Sequence, residues 1–540
     1  MTATRNDKAS GEPWLVRRLE LPVLLAGIFM IILDFFIVNV AIPSMQDDLG
    51  ASEAAVQWVV AGFGLALGAG QITGGRLGDR YGRRRLFVLG MALFTLASAV
   101  CGLADSSATL VAGRVAQGLA AALMSPQILS IISVGRAGPR RARAVAAYGT
   151  TMGMAAACGQ LIGGALTQAD VAGLGWRACF LINVPIGAAV LALAPHAIRE
   201  SRLDSCVPTT PAAAPLTAAP LAGAPRRVRG GGVDLVGAAL ATVVLVAAVL
   251  PLVQGREAGW PLWTWLCLAG AAVLIAVFGR HQRWLTRRGR MPLVDLTLFR
   301  ERAVTVGLIA DLVFFTGIAS FFLVLALYLQ RGLGLDALRA GLVFTQLALG
   351  YLVTSFAGGP LVRRFGRAAL AAGALVMAAG LGLLALVVQL AGTTGSVALL
   401  TPPLLVIGAG MGMVMAPLIG VILAGVEPRH AGTASGLLAT AQQVGNALGV
   451  AIVGVVFFGA LGHPVGRGDV ATDYPHALTL SIGYLAAASV VSAGLLLLLP
   501  AAARDEAESG AARLAIPTRA ATEQRPVAAA ARPAGGGTTA

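Results

Sequence analysis

Fourteen stretches of the sequence are each long and apolar enough to cross a lipid bilayer, which requires about 20 mostly apolar residues. At this segment length only helices satisfy their own backbone hydrogen bonds in lipid, because barrel strands would have about 10 residues of alternating polarity. We therefore predict an all-α polytopic membrane protein with 14 transmembrane helices. The predicted spans cover residues 21–43, 55–75, 86–104, 108–133, 144–168, 178–197, 233–253, 262–279, 303–329, 338–362, 368–390, 397–423, 433–461 and 476–499.

The composition excludes several other classes of protein. Hydrophobic residues make up 57% of the 540 residues and charged residues only 12%, against about 25% charged residues in soluble domains. An ordinary cytosolic enzyme, a secreted disulfide scaffold and a disordered chain are thereby excluded. The sequence has no Walker loop, HExxH, GxSxG or Cys/His metal cluster. We therefore predict no enzymatic activity, no metal and no cofactor.

The basic residues predict the orientation in the membrane. If the N-terminus is cytoplasmic, the outer loops contain only five arginines, which are Arg177, Arg256, Arg331, Arg339 and Arg467. The inner loops then hold the basic clusters at Arg76–Arg85, Arg136–Arg143, Arg226–Arg229, Arg280–Arg302 and Arg363–Arg367. This asymmetry predicts a multi-pass protein of the plasma membrane with both termini in the cytoplasm. It also accounts for the net charge of +15 without a nucleic-acid partner.

The chain divides into two similar parts. The segment Gly75–Arg85 after the second span and the segment Gly359–Arg367 after the tenth share Gly, Leu, Arg, an aromatic residue, Gly and Arg in one register. This repeat predicts two six-helix bundles with an inserted helix pair, a transporter architecture. The predicted parts are a cytoplasmic segment (1–20), an N-terminal bundle (21–198), a Pro/Ala-rich linker (199–232), the inserted pair (233–279), a basic loop (280–302), a C-terminal bundle (303–499) and a disordered tail (500–540).

Three charged residues fall inside predicted spans, where each costs about 2.5–3.5 kcal/mol on insertion scales. A rise of 1.5 Å per residue places Asp34 about 20 Å and Arg114 about 21 Å from the cytoplasmic side, so the two can pair. Asp311 lies about 12 Å from that side in the second bundle. We predict that these residues couple proton movement in a chamber between the bundles. A permanent structural ion pair between Asp34 and Arg114 is the alternative.

Further polar and small residues are candidates for supporting roles. The candidates for lining a substrate cavity are Asn39, Gln117, Gln346, Gln442 and Asn446, although each could instead bond a neighbouring helix. The candidates for a cytoplasmic gate motif are Gly75, Gly78, Asp79, Arg80, Gly82, Arg83 and Arg84; simple anchoring to the inner leaflet explains these arginines but not Asp79. In the fifth span, Gly159, Gln160, Gly163 and Gly164 favour close helix packing.

Five motifs in order resemble those of the major facilitator superfamily, and in particular its branch of fourteen-span drug:proton antiporters. They are Leu33–Pro43 (LDFFIVNVAIP), Gly75–Arg85 (GRLGDRYGRRR), Arg114–Gly118 (RVAQG), Gly159–Gly164 (GQLIGG) and Trp176–Gly187 (WRACFLINVPIG). The resemblance covers about residues 20–500. Two departures are Gln160, where the antiporter motif usually has proline, and Ala178, where the sixth-span signature usually has tryptophan.

The resemblance implies a proton-coupled exporter of hydrophobic small molecules, such as drugs or antibiotics, that works by alternating access. It implies that Asp34 belongs to the coupling region, that Arg114 supports proton sensing and that Asp79 latches the bundles. The expected partners are the bilayer, the substrate and protons, and the expected functional unit is a monomer. Because of Gln160, a facilitator for a metabolite, siderophore or lipid without antiport remains the alternative. A sensor or scaffold without transport is a third hypothesis.

Overall fold

The chain is described here by a computed structural model of residues 14–134, 136, 138–200, 234–290, 292–393, 395–424, 431–461 and 470–499, in which the regular secondary structure is helical. Thirteen segments of this part are long and apolar enough to cross a membrane. The remaining predicted span lies in a 32-residue helix whose Gly, Thr and Gln residues lower its hydropathy. The predicted all-α membrane fold is thus confirmed. The predicted tail, and the linker beyond its first two residues, lie outside the described residues.

The first six spans are built from seven helices. They are α1 (Trp14–Leu49), α2 (Glu53–Tyr81), α3 (Arg83–Gly102), α4 (Ser107–Val134), α5 (Gly138–Ala169), α6 (Ala178–Leu181) and α7 (Asn183–Ala197). The sixth span contains both α6 and α7, which are separated at Ile182. Pro185 explains the interruption, because it lacks the N–H that would bond the carbonyl of Leu181.

The rest of the described chain forms eight α-helices, beginning with the inserted pair. They are α8 (Leu235–Gln254), α9 (Leu262–Arg287), α10 (Arg302–Leu327), α11 (Ala337–Phe365), α12 (Arg367–Ala391), α13 (Thr401–Ala424), α14 (Ala431–Leu461) and α15 (Val470–Leu497). A π-helical turn, Tyr328–Gly332, follows α10. We call the face with the α2–α3 turn the inner face, following the predicted orientation, and the opposite face the outer face.

The two sets of six spans pack in the same pattern. In the first set, α1 packs against α5 and α7, and α4 packs against α2 and α3. In the second set, α10 packs against α14 and α15, and α13 packs against α11 and α12. The sets meet mainly where α2 contacts α14 and where α5 contacts α11. The helix that carries the repeated loop segment, α11, therefore corresponds to α2, as the sequence repeat predicts.

The inserted pair packs at the contact between the two bundles, where α8 contacts both α2 and α14. At the outer end, the Glu257 carboxylate accepts a hydrogen bond from the Ala54 N–H at the start of α2, at 2.7 Å. The neighbouring Arg256 pairs with Glu53 of α2 and donates to the Phe458 carbonyl of α14 at 3.0 Å. The α8–α9 turn thus joins one helix of each bundle.

At the inner end, the inserted pair is held by a carboxylate. Asp234 caps α8 and accepts hydrogen bonds from His281 and Gln282 of α9, each at 3.0 Å. Burial alone would raise the pKa of Asp234, but the bonds from His281, the Gly237 N–H and Gln282 outweigh burial and lower that pKa. Asp234 is therefore ionised at neutral pH. Arg76 of α2 donates to the nearby carbonyl of Leu293 at 3.2 Å.

Glycines allow the close approach of α2 and α4. A Cβ atom at Gly118 of α4 would overlap the backbone oxygen of Phe63 and lie 2.8 Å from the Cβ of Ala66. A Cβ atom at Gly74 would overlap the backbone of Ala122. Because backbone atoms cannot move aside as a flexible side chain can, any larger residue at Gly118 must push the two helices apart.

We expect Gly118→Ala to lower the free energy of unfolding by about 1–3 kcal/mol through overpacking. The measurement is thermal unfolding of the purified protein in detergent. Gly270→Ala on α9 is the matched control, because a Cβ atom there meets no atom within 4 Å and alanine is the better helix former. Equal stability of the two variants would show that α2 and α4 are not so closely packed.

Candidate functional site

Asp34 of α1 and Arg114 of α4 form an ion pair in the interior of the first bundle. Both side chains are fully enclosed, with 0% exposure. The sequence places the two residues at matching depths, and the structure brings them together. Because a buried pair loses the solvation of both charges, its stability depends on additional hydrogen bonds around it.

Three polar residues complete the surroundings of the Asp34 carboxylate. The Oδ1 atom accepts hydrogen bonds from the Gln117 amide at 3.0 Å and from the Asn183 amide of α7 at 2.8 Å. Both amides also donate to the Ser98 hydroxyl of α3, at 2.8 and 3.3 Å. The carboxylate therefore accepts hydrogen bonds from side chains of α4 and α7 in addition to its contact with the Arg114 guanidinium.

The Arg114 guanidinium has partners on α2 as well. Its Nε atom donates to the Val59 carbonyl at 2.9 Å, and its Cζ atom lies 4.4 Å from the centroid of the Phe63 ring. Its Nη1 atom also donates to the Gln117 side-chain oxygen at 2.9 Å, whereas Nη2 has no hydrogen-bond partner among the described residues. A cation over an aromatic face is stabilised by the ring's quadrupole. Arg114 therefore keeps some stabilising contacts if Asp34 becomes neutral.

The surroundings of this pair differ from the expected chamber between the bundles. Asp34 of α1 and Arg114 of α4 are bound directly by groups of α2, α4 and α7, and α3 joins the network through Ser98. All five helices belong to the first bundle, and the pair is sealed from solvent in this conformation. The physical reason is that Gln117 and Asn183 satisfy the carboxylate within the bundle, while Ser98 accepts hydrogen bonds from both of their amides.

Asp311 of α10 occupies a different environment in the second bundle. Its side chain is fully buried, and its Oδ1 atom accepts a hydrogen bond from Gln442 of α14 at 3.2 Å. The Oδ2 atom has no hydrogen-bond partner among the described residues. Asp311 thus lacks the dense set of donors that surrounds Asp34, although it lies at the contact between two long helices.

The predicted cavity residues fall into two groups. In the first group, Gln117 donates a hydrogen bond to Asp34, and Gln442 donates one to Asp311. Asn39, Gln346 and Asn446 each retain a buried amide oxygen without a partner among the described residues. The Asn39 amide nitrogen donates to the Phe36 carbonyl at 3.1 Å, so only its oxygen is unused. The second group has hydrogen-bonding capacity that a bound molecule could use.

The glycine motif of α5 lies between the two bundles. A Cβ atom at Gly159 would lie 3.0 Å from the Cβ of Phe36, and one at Gly163 would lie 2.8 Å from Ile37, both on α1. A Cβ atom at Gly164 would instead overlap the backbone of Ala337 on α11. The motif therefore lets α5 approach one helix of each bundle.

Gln160 lies in the same segment of α5 and is buried. Neither its amide oxygen nor its amide nitrogen has a hydrogen-bond partner among the described residues. The helix continues through this position from Gly138 to Ala169, and the Cβ position of Gly341 on α11 lies 2.6 Å from the Gln160 backbone oxygen. Without the proline of the related motif, α5 is unbroken where it crosses α11.

The predicted gate motif forms the inner turn between α2 and α3. Gly82 has a φ of +110°, which favours glycine, and Asp79 pairs with Arg83 at 2.8 Å within the motif itself. Arg84 and Arg85 lie 3.9 and 3.6 Å from the Glu200 carboxylate. The remaining motif residues lie on α2. A Cβ atom at Gly78 would overlap the Gln127 side chain, and one at Gly75 would be in van der Waals contact with Pro126. The Cζ atom of Arg80 lies 5.5 Å from the centroid of the Tyr81 ring. The role of Asp79 as a latch between bundles stays a prediction.

At the outer face, the bundles are joined by contacts that the sequence analysis missed. Asp47 at the end of α1 pairs with Arg331, and Gln330 donates to the Val40 carbonyl at 2.8 Å. Asp48 instead pairs with Arg177 of the same bundle at 2.6 Å. The ion pair between Asp47 and Arg331 thus closes the outer ends of α1 and α10 together.

Three residues around the ion pair of Asp34 and Arg114 were not predicted from the sequence. Asn183 stands in the quoted sixth-span motif, so its polarity in an apolar run was a usable signal. Ser98 and Phe63 carry no such signal, because many serines and phenylalanines occur in the spans and only the rotation of α3 and α2 directs these two toward the ion pair. Among the described residues, no group of three or more His, Cys, Asp or Glu side chains could hold a metal ion.

Comparison with known proteins places this geometry in a family. The family model described as "Major Facilitator Superfamily" matches residues 24–299, 209–450 and 312–528. The chain is 41% identical over 462 residues to a probable actinorhodin transporter of Streptomyces coelicolor, with coverage of 84% of this chain and 75% of that protein. It is 33% identical over 513 residues to a cephamycin export protein of Amycolatopsis lactamdurans, with coverage of 93% and 97%.

Solved structures agree at the level of the fold. A bacterial homologue of the human lysosomal transporter Spinster matches with a TM-score of 0.61 and 17% identity, over 90% of this chain and 97% of that one. A D-xylose–proton symporter matches with a TM-score of 0.58 and 15% identity, over 90% and 98%. The paired bundles, the five ordered motifs and the family match lead to one conclusion: the chain belongs to the Major Facilitator Superfamily and to its drug-efflux branch.

Proposed function

We propose that this chain exports a hydrophobic small molecule, of the antibiotic kind named for its relatives, in exchange for protons. The observation that carries the proposal is the sealed carboxylate of Asp34, which is bound by Arg114 and by two amides. In its ionised form the carboxylate holds helices of the first bundle together. In its neutral form it loses the charge that binds Arg114.

Protonation of Asp34 therefore requires a rearrangement. Neutralising one partner of a buried ion pair costs about 3–5 kcal/mol, because the other charge remains buried without its partner. In the described conformation, Asp47 is paired with Arg331 at the outer face, and the ionised Asp34 is bound by Arg114 rather than by a proton. A proton arriving from outside would favour a second conformation in which α1 and α4 separate. Return to the first conformation would release that proton on the inner side.

We propose that the cargo contacts the unused amides. Asn39, Gln346 and Asn446 offer buried acceptor oxygens on α1, α11 and α14, which belong to both bundles. A molecule bound among them would be held by few polar contacts and by apolar surface, as is usual for small-molecule sites. The proton gradient serves as the energy source, so no cofactor is required.

Location and assembly follow from the predicted topology. We propose that the chain is a multi-pass protein of the cell membrane with both termini in the cytoplasm and that it works as a monomer. One chain contains both bundles, so a single copy supplies the complete path between them. We also propose that the bundles end where the sequence analysis divides the chain, with the inserted pair at 233–279.

We expect Asp34→Asn to abolish proton-driven efflux while the protein still reaches the membrane. The amide keeps the shape of the carboxylate but cannot bind and release a proton. The measurement is substrate accumulation by proteoliposomes under an imposed pH gradient. Asp105→Asn, at an exposed position between α3 and α4, is the matched control. Wild-type accumulation by Asp34→Asn would contradict the coupling role.

We expect Asp311→Asn to retain transport but to exchange fewer protons per cargo molecule. Among the residues that the structure describes, Asp311 has one hydrogen-bond donor, Gln442, and one oxygen without a partner, so a proton on Asp311 need not disturb Asp34. The measurement is the pH gradient that just balances a known substrate gradient in proteoliposomes. An unchanged balance point would mean that Asp311 takes no part in coupling.

The second candidate function is a facilitator without antiport, and the unbroken α5 favours it. The antiporter motif usually bends this helix at a proline, whereas here Gln160 continues it. The two functions differ when the pH gradient is collapsed in vesicles. An exporter then loses concentrative transport, whereas a facilitator still equilibrates its cargo. We expect loss of concentrative transport.

A further inference from the structure

The proton site and the contact between the bundles are separated by aromatic rings. Asp34 and Arg114 are enclosed in the first bundle, yet alternating access requires the second bundle to move. The structure contains one continuous row of side chains between them, which we call the phenyl row: Phe63, Phe35, Phe36, Phe322 and Phe344. The row begins at the Arg114 guanidinium and ends on α11.

Within the first bundle, the phenyl row starts from the ion pair. The Cζ atom of Arg114 lies 4.4 Å from the Phe63 ring centroid. The centroid of Phe35 lies 6.1 Å from that of Phe63 and 5.2 Å from that of Phe36, which is nearly perpendicular to it. Phe35 and Phe36 directly follow Asp34 in α1. A change at the ion pair therefore reaches these rings both through Arg114 and through the backbone.

The phenyl row then crosses into the second bundle. The Phe36 ring of α1 lies 4.9 Å from the Phe322 ring of α10 at an angle of 67°. Phe322 in turn stacks on Phe344 of α11, with centroids 5.5 Å apart and an angle of 17°. Offset-stacked and edge-to-face pairs are the favoured geometries of aromatic rings. The contact between Phe36 and Phe322 is thus a specific aromatic contact between the two bundles.

The rings have little room to absorb a displacement. All five are buried, with exposure of 8% or less. Gly159 of α5 leaves no space behind Phe36, since a Cβ atom there would lie 3.0 Å from the Phe36 Cβ. Close-packed interiors transmit strain because there are few voids to take it up. A movement of Phe36 must therefore displace Phe322 or separate the two rings.

We propose that Phe36 and Phe322 are positioning residues that transmit the protonation state of Asp34 to the second bundle. This inference rests on the proposed coupling role of Asp34. When Asp34 is ionised, Arg114 is held on the carboxylate and over Phe63, and the rings of the phenyl row keep the contacts described above. When Asp34 is neutral, Arg114 shifts, Phe63 and Phe35 follow, and the edge of Phe36 no longer fits Phe322.

The groups that could titrate near Asp34 are few. The Arg114 guanidinium faces it from α4, and the thiols of Cys101 on α3 and Cys179 on α6 lie nearby. Among the described contacts, α2 and α7 contribute only neutral groups, the Val59 carbonyl and the Asn183 amide. Removing the Asp34 charge should therefore remove any pH response that starts at this site.

The test follows the distance between the bundles as a function of pH. Spin labels replace Leu103 after α3 and Leu390 at the end of α12, which are 72% and 80% exposed at the outer face. The labels are introduced as unnatural amino acids, so that the native cysteines remain. The full chain is reconstituted in lipid, and the ratio of short to long distances is measured across a pH series.

We expect the ratio of short to long distances to change with pH in the wild-type protein. In Phe322→Leu this change should be about two- to tenfold smaller, which is the fold-change that corresponds to the free energy of one aromatic pair. Phe36→Leu should behave in the same way. Phe322→Tyr keeps the ring and should restore the wild-type response, which a merely space-filling role for Phe322 does not require. Phe457→Leu is the matched control, because its ring contacts Phe458 and Tyr474 within the second bundle.

Three results would overturn the proposal in distinguishable ways. If Asp34→Asn abolishes the pH response but Phe36→Leu and Phe322→Leu keep it unchanged, the phenyl row does not transmit the signal, whereas the coupling role of Asp34 stands. If Asp34→Asn keeps the wild-type response, the proposed proton site itself is wrong, and the inference fails with it. An equal loss in Phe457→Leu would also contradict a specific role for the row.

Discussion

The buried pair of Asp34 and Arg114 is the interaction on which the first bundle depends. Neither charge is stable in such surroundings alone, and each draws further groups from other helices, so that five helices converge on one carboxylate and one guanidinium. We propose that the same arrangement that stabilises the closed bundle also makes it respond to the protonation of Asp34. In this proposal, stability and coupling both depend on one desolvated ion pair.

The second bundle repeats the helix packing of the first but not its chemistry. Asp311 lies on α10, which corresponds to α1, yet its described partner is an amide rather than an arginine. The repeat therefore supplies a symmetric frame in which only one half carries the ion pair. The inserted pair α8 and α9 adds a further asymmetry, because α8 lies on the α2–α14 seam while the α5–α11 seam is lined by glycines.

Much of the fold could be predicted from the sequence because membrane spans are long and their signal is strong. The arithmetic of helix rise also predicted that Asp34 and Arg114 lie at one depth. It could not predict that Ser98, Phe63 and Asn183 surround them, since this depends on the rotation of three helices about their axes. For the same reason the expected chamber around the charges was replaced by a sealed network. The ion pair between Asp47 and Arg331 could not be predicted either, because it depends on how the two bundles are placed relative to each other, and no local sequence pattern encodes that placement.

We propose that cargo and a proton compete through the state of Asp34. The most direct test is to count the protons released into weakly buffered solution when cargo binds to the purified protein. We expect the wild-type protein to release protons and Asp34→Asn to release fewer. Equal release by the two proteins would contradict this competition.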